Sequence, residues 1–184
     1  MKKILIVDGN SIMNRAFYGV RPLTTKDGLH SNAVFGVVNI LQKQIDEIAP
    51  DYAAVAYDLK APTFRHKLYG EYKAGRHAMP DELREQVPFV KECTEGLGLH
   101  RLEAEGYEAD DILGTLAALA EEKDCFCYIL TGDRDSLQLI SERVHVLLAG
   151  NKETTDMGIP EFREKYGIRP DQFVDVKALM GDSS

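Results

Sequence analysis

The sequence has few cysteines and no long run of apolar residues. Its three cysteines are an odd number, and Cys125 and Cys127 alternate as residues of a strand do. This pattern favours reduced thiols over a disulfide framework, and a zinc site would need more ligands. No apolar run approaches the length of about 18 residues that a membrane span needs, and Ile4 to Val7 is too short for a signal peptide. We therefore expect a cytoplasmic protein without a membrane partner.

Positive charge is also scarce. The sequence has 22 Lys and Arg against 30 Asp and Glu, which gives a formal net charge of −8 at pH 7. Taken alone, this balance argues against nucleic acid as a partner. Residues 60–77 are the exception, because five Lys and Arg there face one acid and give a local charge of +4.

Apolar strand patterns alternate with helical periodicity along the chain. The chain has 184 residues, 44% of them apolar and 28% charged, so we expect one domain over residues 1–184. The strand candidates are "KKILIVD", "YAAVAYD", "FCYILTGD" and "VHVLLAG". Longer helices are expected over residues 31–48, 80–97 and 108–122, and a short helix is expected at "RDSLQLI". The order β-α-β-α-α-β-α-β predicts an α/β fold with a mostly parallel central sheet and helices on both faces. Residues 151–158 are expected to form a turn or an edge hairpin, and Pro160 and Pro170 each to open a short helix.

Acidic residues follow the predicted strands. Asp8 ends the first strand, Asp58 ends the second, and Asp133 follows the third. The carboxyl ends of parallel strands meet at one edge of a sheet, where open α/β proteins build their sites. Glu108 and Asp111 begin a helix about 60° apart around its axis, so they can point the same way. Six acids would then converge on this edge: Asp8, Glu108, Asp110, Asp111, Asp133 and Asp135.

Each acid on its own has an ordinary structural explanation. Acids in the first turn of a helix complement its dipole, and an Asp after a strand is often a turn former or an N-cap. These explanations fail on the number of acids, because carboxylates so close together repel each other and raise one another's pKa values. A cation is needed among them, and Arg134 is the one Lys or Arg interleaved in these motifs.

A divalent ion is the better partner for these acids. Carboxylate oxygens without His or Cys suit Mg²⁺ or Mn²⁺. Two such ions can activate a water and stabilise the leaving oxygen of a phosphoryl displacement. Together with the basic segment, the acids predict a phosphodiesterase that acts on nucleic acid.

Five stretches carry a resemblance to a known family: "LIVDGNSIMNRAFYG", "YDLKAPTFRHKLYGEYKAGR", "GYEADDILGTLA", "LTGDRDSLQLIS" and "YGIRPDQFVDVKALMGDSS". The chain resembles the N-terminal 5′-nuclease (5′-3′ exonuclease) domains of bacterial DNA polymerase I, in the flap endonuclease family. The match covers essentially the whole chain, in order and with similar spacing. It implies a PIN-like, resolvase-like fold.

The resemblance also implies roles for individual residues. Two ions, Mg²⁺ or Mn²⁺, would be held by these acids: Asp8, Asp58, Glu108, Asp110, Asp111, Asp133, Asp135 and Asp182. Lys73 and Arg76 would contact the scissile phosphate from an arch or clamp at about residues 60–90, and Arg15 would support the threaded 5′ strand. The DNA-binding candidates of the basic segment are Arg65, Lys67 and Tyr72, with Tyr72 stacking on a displaced base. A solvated basic face is the alternative for this segment.

The implied activity is that of a metal-dependent, structure-specific 5′-nuclease. It would hydrolyse DNA and RNA-primer phosphodiesters at 5′ ends, 5′ flaps and RNA–DNA primer junctions during bacterial DNA replication and repair, and we expect a monomer. The family pattern continues past residue 184 with a further aspartate and a helix-hairpin-helix. We therefore expect a truncated DNA-binding region from about residue 160, an incomplete partner set for Asp182, a weakened second metal site, and a polymerase domain in the full-length protein.

Two alternatives stay open. One is a DNA-binding fragment of the same domain without nuclease activity. The other is a different Mg²⁺ enzyme on a similar sheet: a Toprim-like domain would carry a glutamate after the first strand, where this chain has Asp8. A phosphoaspartate receiver or haloacid-type phosphatase would need paired acids there, and "VDGNS" supplies one.

Overall fold

A computed structural model of the chain describes residues 1–73, 75, 78–150 and 153–181. Within these residues the strands are β1 (Lys3–Asp8), β2 (Tyr52–Ala56), β3 (His100–Leu102), β4 (Phe126–Thr131), β5 (Val144–Ala149) and β6 (Thr154–Met157). They form one sheet in the order β3-β2-β1-β4-β5-β6. The first five strands are parallel, and β6 pairs antiparallel with β5. The predicted mostly parallel sheet and the edge hairpin are confirmed.

Eight α-helices lie in the same described part of the chain: α1 (Gly9–Gly19), α2 (Asn32–Ile48), α3 (Phe64–Leu68), α4 (Asp81–Arg84), α5 (Val87–Gly96), α6 (Ala109–Glu122), α7 (Ile159–Tyr166) and α8 (Phe173–Met180). Short 3-10 helices span Arg134–Leu139 and Pro170–Gln172. Three elements, α1, α3 and β3, were not predicted from the sequence. The helix expected over residues 80–97 is divided into α4 and α5. Elements as short as α3 and β3 carry too few residues to show a periodicity.

The core lies on both faces of the sheet. Side chains of β1 alternate between the faces, as in any strand: Leu5 and Val7 pack with α1, α2 and α5, whereas Ile6 packs with α6, α7 and α8. All three side chains are buried. The prediction of helices on both faces is confirmed. Among the described helices, none has the length and apolar character needed to cross a bilayer.

The close contact between Gly9 and Tyr57 brings two strand ends together. α1 begins directly after β1, and a Cβ built on Gly9 would lie 2.3 Å from Cε1 of Tyr57. Only a residue without a side chain leaves room for that ring. Asp8 and Asp58, which flank the contact, therefore lie on neighbouring strand ends.

Candidate metal centre

The carboxyl ends of β1, β2 and β4 open into a polar cleft of about 430 Å³. It is lined by residues from these strand ends, from α1, from the start of α6 and from the basic segment: Asp8, Asn10, Ser11, Asn14, Asp58, Lys73, Glu108, Ala109, Asp110, Gly132 and Asp133. The structure thus brings together five of the acids singled out in the sequence. Asp8, Asp58 and Asp133 meet at this edge because their parallel strands end there.

Asp8 is the most buried aspartate of the cleft, with 5% of its surface exposed. Its Oδ1 accepts a hydrogen bond from the backbone N–H of Ser11 at 3.0 Å, which caps α1, and its Oδ2 accepts from Oγ1 of Thr131 at 2.8 Å. Burial raises the pKa of Asp8, and the charges of Asp58 and Asp133 add to this effect. The two hydrogen bonds oppose the increase and fix the carboxylate.

Asp58 joins the starts of two helices. Its Oδ2 accepts from the side-chain amide of Asn10 at 2.9 Å, and its Oδ1 accepts from the backbone N–H of Ala109 at 2.7 Å. The second bond satisfies one of the unpaired amides at the N-terminus of α6. Asp58 therefore holds α6 against α1 at the cleft.

Asp110 also has a raised pKa. Partial burial raises its pKa to about 7, and repulsion by the charges of Asp8, Asp133 and Asp58 adds to the increase, while Lys73 opposes it. The side chain is still open to solvent in the cleft. A cation placed beside Asp110 would relieve this repulsion.

Glu108 is held by side chains of the basic segment. Its Oε1 lies 2.7 Å from Nζ of Lys73, and its Oε2 accepts from the Tyr72 hydroxyl at 3.0 Å. Nη1 of Arg65 lies 3.5 Å from the same Oε2. Arg134 is the one Lys or Arg interleaved in the acidic motifs of the sequence, but the cations that contact Glu108 are Lys73 and Arg65. The basic segment, remote in sequence, folds over Glu108.

Asp111 and Asp135 lie outside the cleft. Asp111 forms a two-pronged ion pair with Arg65, and Asp135 Oδ1 lies 2.9 Å from Nζ of Lys177. The expectation that Glu108 and Asp111 point the same way holds only in that both contact Arg65. In the described ranges, no three His, Cys, Asp or Glu side chains are grouped so that they could hold a metal ion as they stand.

The remaining predicted residues are dispersed. Nε of Arg15 donates to the carbonyl of Gly150 at 3.2 Å, so its side chain turns to the end of β5 and does not line the acidic cleft. Lys67 is exposed on α3. Tyr72 stands edge-on to the ring of His66 and donates to Glu108, and its stacking on a displaced base stays a prediction. The predicted residues Arg76 and Asp182 lie outside the described residues.

Four polar residues that line the cleft or bond to its acids were missed in the sequence: Asn10, Ser11, Asn14 and Thr131. The Ser11 hydroxyl accepts from the backbone N–H of Gly132 at 2.9 Å, and the Thr131 hydroxyl accepts from that of Asp133 at 2.9 Å. These bonds join the turns that follow β1 and β4. A run of polar residues directly after an apolar strand, as in "DGNS", is the pattern that could have identified two of them.

The donors of the cleft fit a hard divalent ion. They are carboxylate, amide and hydroxyl oxygens without thiol or imidazole, and the acids repel one another as they stand. Mg²⁺ keeps several of its waters and binds through one or two carboxylates. The cleft therefore still suits Mg²⁺, although no three of the described acids are close enough together to hold an ion as they stand.

A comparison with known proteins places the chain in a family. The family model of the 5′-3′ exonuclease, N-terminal resolvase-like domain, matches residues 3–167. The chain is 44% identical over 186 residues to DNA polymerase I of Bacillus subtilis (strain 168) and 44% identical over 182 residues to the thermostable DNA polymerase I of Thermus aquaticus. These matches cover 100% and 99% of this chain but 21% of each relative. The chain thus spans about a fifth of the length of these relatives.

Solved structures show the same fold. A flap endonuclease of bacteriophage T5, in a pseudo-enzyme-product complex with DNA and metal ions, superposes with a TM-score of 0.72 at 19% identity, over 98% of this chain and 67% of that chain. A T5 5′-exonuclease with bound zinc gives a TM-score of 0.73 at 20% identity, over 98% of this chain and 67% of that one. The resolvase-like, PIN-type α/β fold expected from the sequence is confirmed. The chain belongs to the 5′-3′ exonuclease family and is a nuclease domain of its N-terminal resolvase-like type.

Proposed function

We propose that this domain hydrolyses phosphodiester bonds of DNA at 5′ ends and 5′ flaps with the help of divalent metal ions. The observation that carries the proposal is the acidic cleft, in which Asp8, Asp58, Asp110 and Asp133 surround one space beside Lys73. Acids and a lysine in one cleft suit a reaction in which metal ions and a phosphate must be bound together.

The similar proteins suggest the substrate. The relatives are bacterial DNA polymerases, and one structural neighbour is a flap endonuclease complexed with DNA. We therefore propose 5′ flaps, 5′ ends and RNA–DNA primer junctions in replication and repair as substrates, and the bacterial cytoplasm as the place of action. A polymerase domain in the full-length protein is part of the proposal, as is a monomeric state.

Two ions, Mg²⁺ or Mn²⁺, are proposed for the cleft. Asp8, Asp58, Glu108 and Asp110 or Asp111 would hold the first, some directly and some through water, and Asp133 with Asp135 would serve the second. Such ions, when bound, supply an activated water and stabilise the leaving oxygen. Asp135 would have to leave Lys177 to take part.

The residues of the chain prepare the site for these ions. Asn10 and the start of α6 orient Asp58, and Thr131 orients Asp8, so the carboxylates do not have to be ordered on binding. Lys73 brings the positive charge that a phosphate in the cleft requires, and Arg76 is proposed to add a second.

The basic segment is proposed to act as an arch over the cleft, at about residues 60–90 of a single domain. The 5′ strand would be guided there by Arg65, Lys67 and Tyr72, and Arg15 is proposed to support the same strand. The region from about residue 160 is proposed to continue, in the full-length protein, into a duplex-binding element. Asp182 would belong to the second metal site.

A labelled flap duplex tests the proposal. Cleavage of a 5′-labelled flap by this chain is followed in Mg²⁺, Mn²⁺ and EDTA, and binding is measured in parallel at low salt because phosphate contacts weaken steeply as salt rises. We expect a metal-dependent, flap-length product that disappears in Asp110→Asn and Asp133→Asn, while circular dichroism stays unchanged. Cleavage retained in both variants would contradict the metal-centre assignment.

Binding without product would support the second candidate, a DNA-binding fragment without nuclease activity. The observation in its favour is that no three acids of the described chain converge on one point. Restoring the residues that follow in the full-length protein then decides between the two. A product that appears only in the longer chain would mean that this domain catalyses hydrolysis and that the added part binds the duplex.

A further inference from the structure

Asp110 and Asp111 are neighbours in sequence, but their side chains serve different faces of α6. Asp110 lines the acidic cleft. Asp111 lies on the neighbouring face of the helix, in a groove that is mostly apolar and that it shares with Tyr107, Ile112 and Leu116. A step of one residue turns the helix by about 100°, which separates the two carboxylates.

Both carboxylate oxygens of Asp111 are engaged by the protein. Nη1 of Arg65 donates to Oδ2 at 2.7 Å and Nη2 donates to Oδ1 at 2.8 Å, which is the parallel two-bond geometry of a strong Arg–carboxylate pair. Oδ2 also accepts from the backbone N–H of Glu108 at 2.9 Å. These contacts leave Asp111 little capacity for a metal ion.

Arg65 is fixed from its other side as well. Its guanidinium lies 4.5 Å from the ring centroid of Phe64, whose ring packs 5.8 Å from that of Tyr107. The backbone N–H of Phe64 donates to the carbonyl of Gly106 at 2.9 Å. The first turn of α3 is therefore attached to the loop that leads into α6.

We propose that Asp111 is a positioning residue which, through Arg65, fastens α3 to the N-terminus of α6 and contributes no metal ligand. The inference rests on the proposed function, and it reassigns one acid and one arginine of that site. Lys73 and Tyr72 follow α3 in the same short segment, and both reach Glu108. An anchored α3 limits where these two side chains can lie.

Metal binding to the protein alone separates a ligand from a positioning residue. Mn²⁺ affinity is measured by calorimetric titration, without DNA, for the wild type, Asp110→Asn and Asp111→Asn. We expect Asp110→Asn to weaken binding by about tenfold or more and Asp111→Asn by less than about threefold. An equal loss in both variants would overturn the proposal. Unchanged affinity in Asp110→Asn would contradict the proposed metal centre. The Arg65–Asp111 pair is tested separately by hydrogen exchange.

Hydrogen exchange tests the pairing without any metal. Protection of the amides in residues 63–73 is compared in Arg65→Gln, in Asp111→Asn and in the double variant. A pair predicts a similar loss of protection in each single variant and little further loss in the double, because either change removes the same two-bond ion pair. Additive losses would overturn the proposal.

Salt dependence distinguishes a positioning arginine from a phosphate contact. An arginine that neutralises one phosphate lowers the slope of log affinity against log salt by about one when it is removed. We expect Arg65→Gln and Asp111→Asn to leave the slope for flap DNA unchanged and to reduce the cleavage rate together. A slope lowered by Arg65→Gln alone would show that Arg65 serves the DNA and not Asp111.

Discussion

The ammonium of Lys73 lies 2.7 Å from Glu108 Oε1, with 22% of the Lys73 side chain and 7% of the Glu108 side chain exposed. Lys73 adopts a left-handed backbone with φ of 59°, which is uncommon for a residue with a side chain. The ion pair therefore holds a backbone conformation that costs roughly 1–3 kcal/mol. The same lysine that the proposed reaction requires also neutralises one of the proposed metal ligands.

Replacing Lys73 by Met should separate these two effects. We expect Mn²⁺ affinity to rise, because Glu108 loses a competing cation, while single-turnover flap cleavage slows by about 10²-fold or more, because a charge on the phosphate is lost. Calorimetric titration and quenched-flow cleavage measure the two quantities. Lys123→Met, an exposed lysine at the far end of α6, is the control and should change neither. Weaker Mn²⁺ binding in Lys73→Met would contradict this account.

Replacing Asp110 by Asn should stabilise the metal-free fold at alkaline pH. The folded state holds a proton on Asp110 up to a pKa of about 7, whereas the unfolded chain releases it near 3.8, so the stability contributed by this group falls as the pH rises through that window. Because solvent reaches the side chain and screens part of the repulsion, we expect a gain of about 1–2 kcal/mol at pH 8.

Urea unfolding in EDTA at pH 8 and pH 5 measures this gain. The difference between Asp110→Asn and the wild type should shrink at pH 5, where most of the wild-type side chain is protonated. Glu122→Gln, on the exposed end of the same helix, is the control and should stay within about 0.5 kcal/mol of the wild type. A gain that is equal at both pH values would contradict a titrating Asp110.

Adding one methyl group at Gly9 should disturb the cleft. The Cβ of Gly9→Ala would lie 2.3 Å from Cε1 of Tyr57, whose ring is 1% exposed and has no room to move. We expect a loss of about 1–3 kcal/mol in the free energy of unfolding, together with slower cleavage, because Asp8 and Asp58 flank the displaced groups. Gly19→Ala is the matched control in the same helix, since no atom lies within 4 Å of its Cβ. Equal effects of the two changes would show that the Tyr57 contact does not matter.

Gln86 should be needed for stability because it caps α2 from a distant part of the sequence. It is fully buried, and its Oε1 accepts from the backbone N–H groups of Ala33 and Val34 at 2.8 and 3.3 Å. It thereby caps α2, because Ser31 makes no side-chain cap bond. Gln86→Ala leaves those amides buried without partners, so we expect a loss of about 1–3 kcal/mol. Thermal unfolding measures the loss, and the exposed Gln42→Ala should cost less than about 0.5 kcal/mol.

The placement of the strand-end acids could be predicted from the sequence. Asp8, Asp58 and Asp133 each follow an apolar run, and the parallel connection of such runs forces their carboxyl ends to one edge. The alternation of Leu5, Ile6 and Val7 between the two faces follows from the same pattern. These features depend on the periodicity within each strand and on the parallel direction of neighbouring strands. Both follow from the order of apolar and helical segments in the sequence.

The contacts of the basic segment could not be predicted. Lys73 meets Glu108 and Arg65 meets Asp111 because α3 folds back over the start of α6, and α3 is too short to show a periodicity. The cap that Gln86 supplies to α2 has the same origin, since it joins two segments that are distant in sequence. Such pairings depend on the path of the chain through space.

The bond between Thr131 and Asp8 joins residues 123 positions apart, and β1 has partners on both sides, β2 and β4. During synthesis β1 is made first and has to wait for β4 before this bond can form. A nascent chain therefore carries Asp8 and Asp58 before it can form the cleft, because Asp133 follows β4 and contacts of such long range form slowly. The cleft is thus a property of the assembled sheet, and its lining is complete only after Asp133 has been made.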